Sequence, residues 1–139
     1  MTPADLAALH RACFITPRPW TEPEFADLLA NTGAFLETSK TGFALGRVAG
    51  PEVELLTLAV APTARRMGTG RALMTAFEHT ALKKGAQEAF LEVAADNAPA
   101  LELYRRAGYQ QAGERSGYYQ HSDGERVSAL ILRKRLAHG

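Results

Sequence analysis

A mixed α/β domain is what this sequence predicts: a central sheet with helices on both faces. Three observations carry the prediction. Two helix starts with capping residues, at Thr2 and Thr21, come before any strand pattern. An apolar run from Val53 to Val60 is stopped by Pro62 and leads, through a basic glycine loop, into a helix pattern. A strand and a helix then follow once more before two closing strands. Elements in that order need a sheet as the common surface on which the helices bury their apolar stripes.

The elements follow in turn. Thr2-Pro3-Ala4-Asp5 opens the first helix: Thr2 caps, proline fits the first turn, and Asp5 stands at the third position. Leu6, Leu9 and Cys13 continue it at helical spacing. Thr21 and Glu24 make a capping box for the second helix, Trp20 and Phe25 a hydrophobic staple, and Gly33 its end. Short strands are expected at 34–37 and 42–48. A third, at 53–60, is almost unbroken in its apolar character, as suits a central strand covered on both faces. The helix after Gly68 buries Leu73, Ala76, Phe77 and Ala81 and ends near Gly85. Residues 88–93 alternate, with Ala89, Leu91 and Val93 on one face and Phe90 and Glu92 on the other. Asn97 caps the next helix, which tolerates Pro99 in its first turn and closes at Gly108. Residues 109–114 and 127–134 read as the last strands, turned by Asp123-Gly124.

Composition bounds the function. The 139 residues suit one domain, taken as 1–139, with a real core. A hydrophobic share of 46% and a charged share of 22% are those of a soluble globular chain. The net charge of +1 speaks against direct nucleic-acid binding, whose electrostatic footprint is strongly basic. Cys13 is the only cysteine, and His10, His79, His121 and His138 are scattered, so neither a disulfide nor a metal site is expected. No apolar run reaches the ~20 residues of a membrane span, and the first residues lack a signal-peptide pattern. The default expectation is a cytoplasmic protein with no membrane contact.

The loop Arg65-Arg-Met-Gly-Thr-Gly70-Arg71 is the strongest chemical signal. The first N–H groups of a helix have no internal partner, and the peptide dipoles favour an anion there. Glycines at 68 and 70 let backbone approach a phosphate, and the arginines add charge. A dinucleotide fingerprint is excluded because Leu73 stands where its third small residue belongs. A Walker A loop is excluded because Arg71 follows Gly70 in place of Lys-Ser/Thr. The remaining pattern, Arg-x-x-Gly-x-Gly, resembles the pyrophosphate loop of the GNAT acetyltransferases, which bind acetyl-coenzyme A.

The second half of the chain narrows the resemblance. Glu92 is an acid in a short apolar strand, costly to bury unless it is paired or at a wet opening. Leu91-Glu-Val, then Asn97-x-x-Ala-x-x-Leu-Tyr104, then Gly108-Tyr109 resembles the second half of the GNAT fold, and within it the RimI-type ribosomal-protein alanine N-acetyltransferases. The similarity spans about Trp20 to Leu132 and is strongest between Val53 and Tyr109. It implies a mixed, mostly antiparallel central sheet with helices on both faces. It implies that Leu58, Ala59 and Val60 pair with the pantetheine arm of acetyl-CoA. Arg66, Met67, Gly68, Thr69, Gly70 and Arg71 would surround the pyrophosphate, and Asn97 would hold the coenzyme near its thiol. Glu92 would be general base and Tyr104 general acid, with Trp20, Tyr118 and Tyr119 lining the acceptor cleft. The family begins with a strand before its first helix. Here the helix signal starts at Thr2, so that strand is missing and the new sheet edge must be covered or blunted.

The implied reaction is direct attack of an amine on the acetyl thioester. An α-amine is roughly a quarter neutral at cellular pH and a lysine amine only about one part in a thousand. Glu92 would take the proton directly or through water, the Val60 N–H would hold the thioester oxygen, and Tyr104 would protonate the thiolate. The favoured acceptor is a protein or peptide N-terminus, in the family's manner a small-subunit ribosomal protein beginning with alanine. A small-molecule amine or antibiotic acetyltransferase, and a non-catalytic acyl-CoA-binding module, are the alternatives, because a fold does not fix its acceptor.

Overall fold

The computed structural model describes residues 1–65 and 67–136. Among these residues the strands form one six-stranded sheet. The chain runs α1 (Pro3–Cys13), α2 (Glu22–Ala30), β1 (Ala34–Thr38), β2 (Gly42–Ala49), β3 (Glu52–Val60), a 3-10 turn (Pro62–Ala64), α3 (Thr69–Lys83), β4 (Glu88–Ala94), α4 (Ala98–Arg106), β5 (Gln110–Gln120) and β6 (Arg126–Arg135). The sheet order is β1-β2-β3-β4-β6-β5, and every pairing is antiparallel except β3 with β4. No helix among the described residues is long and apolar enough to cross a membrane.

The expected capping box of Thr21 with Glu24 is present, and the Thr2 cap also forms a full box, with Asp5. Each fixes a helix start by satisfying backbone donors that the helix cannot satisfy itself. The Trp20 and Phe25 rings meet edge-on at 5.6 Å, as the staple requires. Gly33 does not end α2. Asn31 caps it, and Gly33 serves the turn into β1 at φ +88°. In α3 the fourth buried side chain is Met74, with Ala76 only half-buried. The first described element is α1, so β1 is an edge. It is held to five residues, and Thr80 of α3 donates to its Glu37. A short edge strand carrying a charge offers little to an incoming strand.

Two cores lie on opposite faces of the sheet. Under α3 and α4 pack Val53, Leu55, Leu73, Phe77, Leu91 and Tyr104, with Leu58 and Val60 at the margin. Under α1 and α2 pack Leu6, Phe25, Phe43, Leu45 and Ala59, with Leu56 at the margin. The register of β2 on β3 steps from Leu45↔Thr57 to Gly46↔Leu55, which leaves Leu56 unmatched. This β-bulge puts Leu56 and Thr57 on the same face, toward α1. The strand therefore reads as continuously apolar although its faces still alternate on each side of the bulge.

A buried histidine braces that bulge. His10 of α1 is 2% exposed. The Trp20 backbone N–H donates to its Nδ1 at 2.9 Å, so the ring proton sits on Nε2 and is given to Thr57 Oγ1 at 2.9 Å. The ring stacks with Trp20 at 5.1 Å and meets Phe25 edge-on at 5.3 Å. Helical spacing alone marks Leu6 and Leu9 but gives no reason to bury a polar residue beside them.

Burial lowers the His10 pKa from 6.5 to about 4, against a smaller upward pull from Glu24. Between these values the unfolded chain binds a proton that the folded one refuses. His10 therefore stabilises the fold fully above pH 6.5, and that contribution is lost as pH falls toward 4, by up to about 3 kcal/mol. Urea unfolding from pH 7 to pH 4.5 should show a flatter decline in His10→Gln than in the parent chain. Parallel declines would remove His10 from the acid sensitivity.

Candidate active site

The parallel pair β3–β4 sets the site. Its ladder covers only Glu52–Glu88, Val53–Ala89 and Glu54–Phe90. Beyond Glu54, β3 stays with β2 to Val60, while β4 stays with β6 to Ala94. The two strand ends diverge, and the β4-facing edge of β3 has no strand partner past the bulge. Ala61 N–H donates to the Thr41 carbonyl across β2. Peptide groups alternate along a strand, so those of Val60 and Leu58 face away from β2 and into the opening. The Val60 carbonyl accepts from Cys13 Sγ and Arg65 Nε at 3.3 Å each.

Just past the end of β3, α3 begins without a side-chain cap. Gly68 is its N-cap at φ +82°, a left-handed conformation that favours glycine, and a Cβ there would meet nothing within 4 Å. The first intrahelical donor is Ala72 N–H, to the Gly68 carbonyl. Among the described residues the preceding N–H groups of Thr69, Gly70 and Arg71 show no partner, a start of the kind that suits an anion. Gly70 has a different reason to be glycine: a Cβ there would lie 3.2 Å from Leu103 of α4, so the helices touch at this point. Met67 is exposed, as is Arg71. Arg66 lies outside the described residues.

On the α1 side of the opening stands an acidic and aromatic cluster. Glu92 is a quarter exposed, and Arg115 Nε of β5 lies 3.2 Å from its Oε1. The Arg115 guanidinium also covers the Tyr118 ring at 5.1 Å, and the Tyr118 and Tyr119 rings meet at 5.1 Å. Desolvation raises the Tyr119 phenol pKa, and the charge of Glu92 raises it further. Glu54 lies on the same face of the sheet, 28% exposed, with Arg47 of β2 at 3.5 Å. Burial lifts the Glu54 carboxyl above its ordinary range. The charge of Glu92 adds to the lift, and Arg47 opposes it.

On the α3 side stands Tyr104, 7% exposed in the core, its phenol pushed up by burial. Such a phenol keeps its proton at neutral pH. Asn97 caps α4, its side chain accepting from Ala100 N–H at 3.3 Å, which leaves its amide donors available. His121 closes the rim: its Nδ1 meets Thr16 Oγ1 and its Nε2 meets Asp96 Oδ2, both at 2.9 Å. Among the described residues no cluster of His, Cys, Asp or Glu could hold a metal.

The sequence profile of the acetyltransferase (GNAT) family matches residues 5–109. The chain belongs to this family. It is 35% identical to the [ribosomal protein bS18]-alanine N-acetyltransferase of Escherichia coli over 118 residues, which are 82% of this chain and 79% of that one. The crystal structure of the E. coli ribosomal-protein-S18-alanine N-acetyltransferase superposes with a TM-score of 0.85 at 30% identity, covering 99% of this chain and 88% of that one. A mycothiol acetyltransferase of Clavibacter michiganensis is 37% identical over 94 residues, 68% of this chain and 29% of that one. The chain is accordingly an N-acetyltransferase of GNAT type.

Leu58, Val60 and Glu92 lie where β3 and β4 diverge, Gly68 and Thr69 start α3 just past β3, and Asn97 caps α4 just past β4. Ala59, 2% exposed, faces the α1 core, so only its backbone borders the site. Trp20 is drawn against the α1 core by its stacking on His10. Tyr118 and Tyr119, expected in a loop, stand in β5. The polar run Gly113-Glu-Arg-Ser-Gly-Tyr-Tyr hides an edge strand, whose residues 115–119 span only Ala129 to Val127 of β6. Glu54 escaped the sequence reading, although its signal is that of Glu92: an acid inside an apolar strand.

Asn97 has two separable duties. Asn97→Ala should cost about 1 kcal/mol through loss of the cap, whereas Asn97→Asp, which keeps the accepting oxygen, should not. Urea unfolding of the two variants checks this, and equal losses would deny the cap its role.

Proposed function

We propose that this GNAT enzyme transfers the acetyl group of acetyl-CoA to the α-amine of a protein or peptide N-terminus, of the ribosomal-protein alanine type. The observation that carries the reading is the unpaired edge of β3, lying between the uncapped start of α3 and the acidic cluster around Glu92. An extended arm with amide groups fits such an edge as a further strand would. A pyrophosphate fits the α3 start, where Thr69, Gly70 and Arg71 offer N–H groups and positive charge, with Met67, Gly68 and the neighbouring Arg66 completing the loop. Leu58, Ala59 and Val60 would flank the arm, and the amide of Asn97 would reach its thiol end.

Chemistry then divides between the faces of the sheet. The Val60 N–H holds the thioester oxygen and the charge that develops on it. From the α1 side Glu92 draws in the amine and takes its proton, directly or through water. From the α3 side Tyr104, whose phenol is protonated at neutral pH, gives a proton to the leaving sulfur. The N–C bond forms and the C–S bond breaks; one proton is taken from the nitrogen on the α1 face and one is given to the sulfur on the α3 face. Trp20, Tyr118 and Tyr119 border the acceptor's approach, where paired aromatics grip an extended peptide. The name of the E. coli relative supports an alanine N-terminus on a ribosomal protein. The likeness to a mycothiol acetyltransferase keeps a small-molecule amine as the second reading.

Thr69→Asp tests the phosphate site. A carboxylate in the first turn favours the helix but repels phosphate, so the fold should hold while acetyl-CoA binding weakens about tenfold or more. Unchanged binding by calorimetry would misplace the pyrophosphate. For the acceptor, a peptide with a free N-terminal alanine should release thiol faster than an amino-blocked lysine peptide or spermidine. Turnover of the latter two alone would sink the N-terminal assignment.

A further inference from the structure

Arg115 crosses a whole strand to reach Glu92. Glu92 of β4 is opposite Ile131 of β6, and Arg115 of β5 is opposite Ala129 of that same strand. Paired residues share a face, and Leu130 and Leu132 belong to the α3 core, so Glu92, Ala129 and Arg115 lie on the α1 face. Ala129 is too short to block the path between them, and Arg115 Nε ends 3.2 Å from Glu92 Oε1. A bulge in β5 gives the guanidinium a second neighbour. The register steps from Arg115↔Ala129 to Tyr119↔Val127, so residues 116–118 face Ser128 alone. Gly117 makes the bulge at φ +57°, its N–H donating to Ser128 Oγ at 3.3 Å and its carbonyl accepting from Arg126 Nη1 at 3.1 Å. Three residues apart in an unbroken strand, Arg115 and Tyr118 would point to opposite faces. Here the guanidinium covers the Tyr118 ring at 5.1 Å. Arg115 is half exposed and Glu92 a quarter, and an ion pair so open to water contributes little to stability.

We propose that Arg115 is the residue that selects an α-amine: it holds the first carbonyl oxygen of the acceptor while Glu92 holds the amine. The inference rests on the acetyl-transfer reading and deepens it. A guanidinium carries five N–H donors, more than one carboxylate oxygen can use. In an N-terminal residue the amine nitrogen and the carbonyl oxygen are three bonds apart, about 3 Å through space. That span matches the separation of Arg115 from Glu92. A lysine amine is parted from its own carbonyl by a four-carbon stem and cannot offer both groups to the pair. Charge works in the same direction. Arg115 offsets the charge of Glu92, so the pair has little net attraction for an ammonium ion and accepts the neutral amine. At cellular pH an α-amine is far richer in that form than a lysine. The Tyr118 ring supports the face of the guanidinium and keeps its fork aimed.

The test compares kcat/KM of the parent chain, Arg115→Met and Arg115→Lys on three acceptors, with acetyl-CoA binding by calorimetry as the check on the fold. The acceptors are a peptide with a free N-terminal alanine, the same peptide with its first amide replaced by a trans-alkene, and an amino-blocked lysine peptide. The alkene keeps the amine and the extended shape but has no carbonyl oxygen. Arg115→Met should lose about 30-fold on the alanine peptide, the loss of one charged hydrogen bond, and nothing on the other two. Arg115→Lys keeps the charge without the fork and should fall between. Coenzyme binding should stay as in the parent. An alanine-peptide rate that holds or rises in Arg115→Met overturns the proposal. So do equal losses on the alanine and alkene peptides, which are what a residue that only holds Glu92 in place would give. Both results leave acetyl transfer to an N-terminus intact. A parent that acetylates the lysine peptide and neither N-terminal peptide overturns the N-terminal reading and this proposal together.

Discussion

A strand in the middle of a sheet must either satisfy its peptide groups on both edges or leave one edge to something else. β3 takes the second course. It keeps β2 along its length and β4 for three residue pairs. A buried peptide group left unpaired costs about 1–3 kcal/mol, so the open edge has to face water or a ligand that replaces the missing strand. The acetyl-transfer chemistry follows from this one constraint. The opening lies between a face that carries an acid, Glu92, and a face that buries a phenol, Tyr104.

An opening of this kind tends to close unless its walls are held. The bulge at Leu56 bends β3 away from β4, and His10 fixes it by giving its one ring proton to Thr57. The same imidazole accepts from the Trp20 backbone and so ties the α1–α2 connection to the wall. On the other face the close contact of Gly70 with Leu103 sets α3 against α4 and holds the uncapped start of α3 near the end of β3. At the rim His121 gathers Thr16 and Asp96, which belong to separate connections. Each of these points of attachment is a named hydrogen bond or a missing Cβ.

Much of this was legible in the residues. Capping boxes are local, so Thr2 and Thr21 marked their helices without reference to the rest of the fold. The glycine loop, Asn97 and Glu92 were visible because each breaks the expectation for its surroundings. Other features depend on long-range pairing and left weaker traces. His10 is a polar residue at a helical position, and only its partners at Trp20 and Thr57 explain its burial. Glu54 broke the same rule as Glu92 but was absorbed into a run read as uniformly apolar. β5 is polar because it is an edge strand, and its irregular register let Tyr118 and Tyr119 pass for loop residues. Gly33 was taken for a helix end because a glycine serving a following turn looks the same in sequence.

The bulge also makes the chain's length matter unequally. Side chains and peptide groups in a strand both obey parity. Leu56 is the extra residue of the bulge, so its deletion would close the ladder and leave Leu58 and Val60 toward α3. Removing a residue beyond it, such as Leu58, would instead send Ala59 toward α3 and Val60 toward α1. It would also turn the Val60 peptide group back onto β2. By contrast, the exposed hairpin tip at Gly50 can gain or lose a residue without altering which way anything beyond it points, provided the ladder keeps its register. Insertions and deletions should therefore drift freely at the tips of this fold and be forbidden in β3 beyond the bulge. In this protein the count of residues in one strand is as much a part of the active site as their identity.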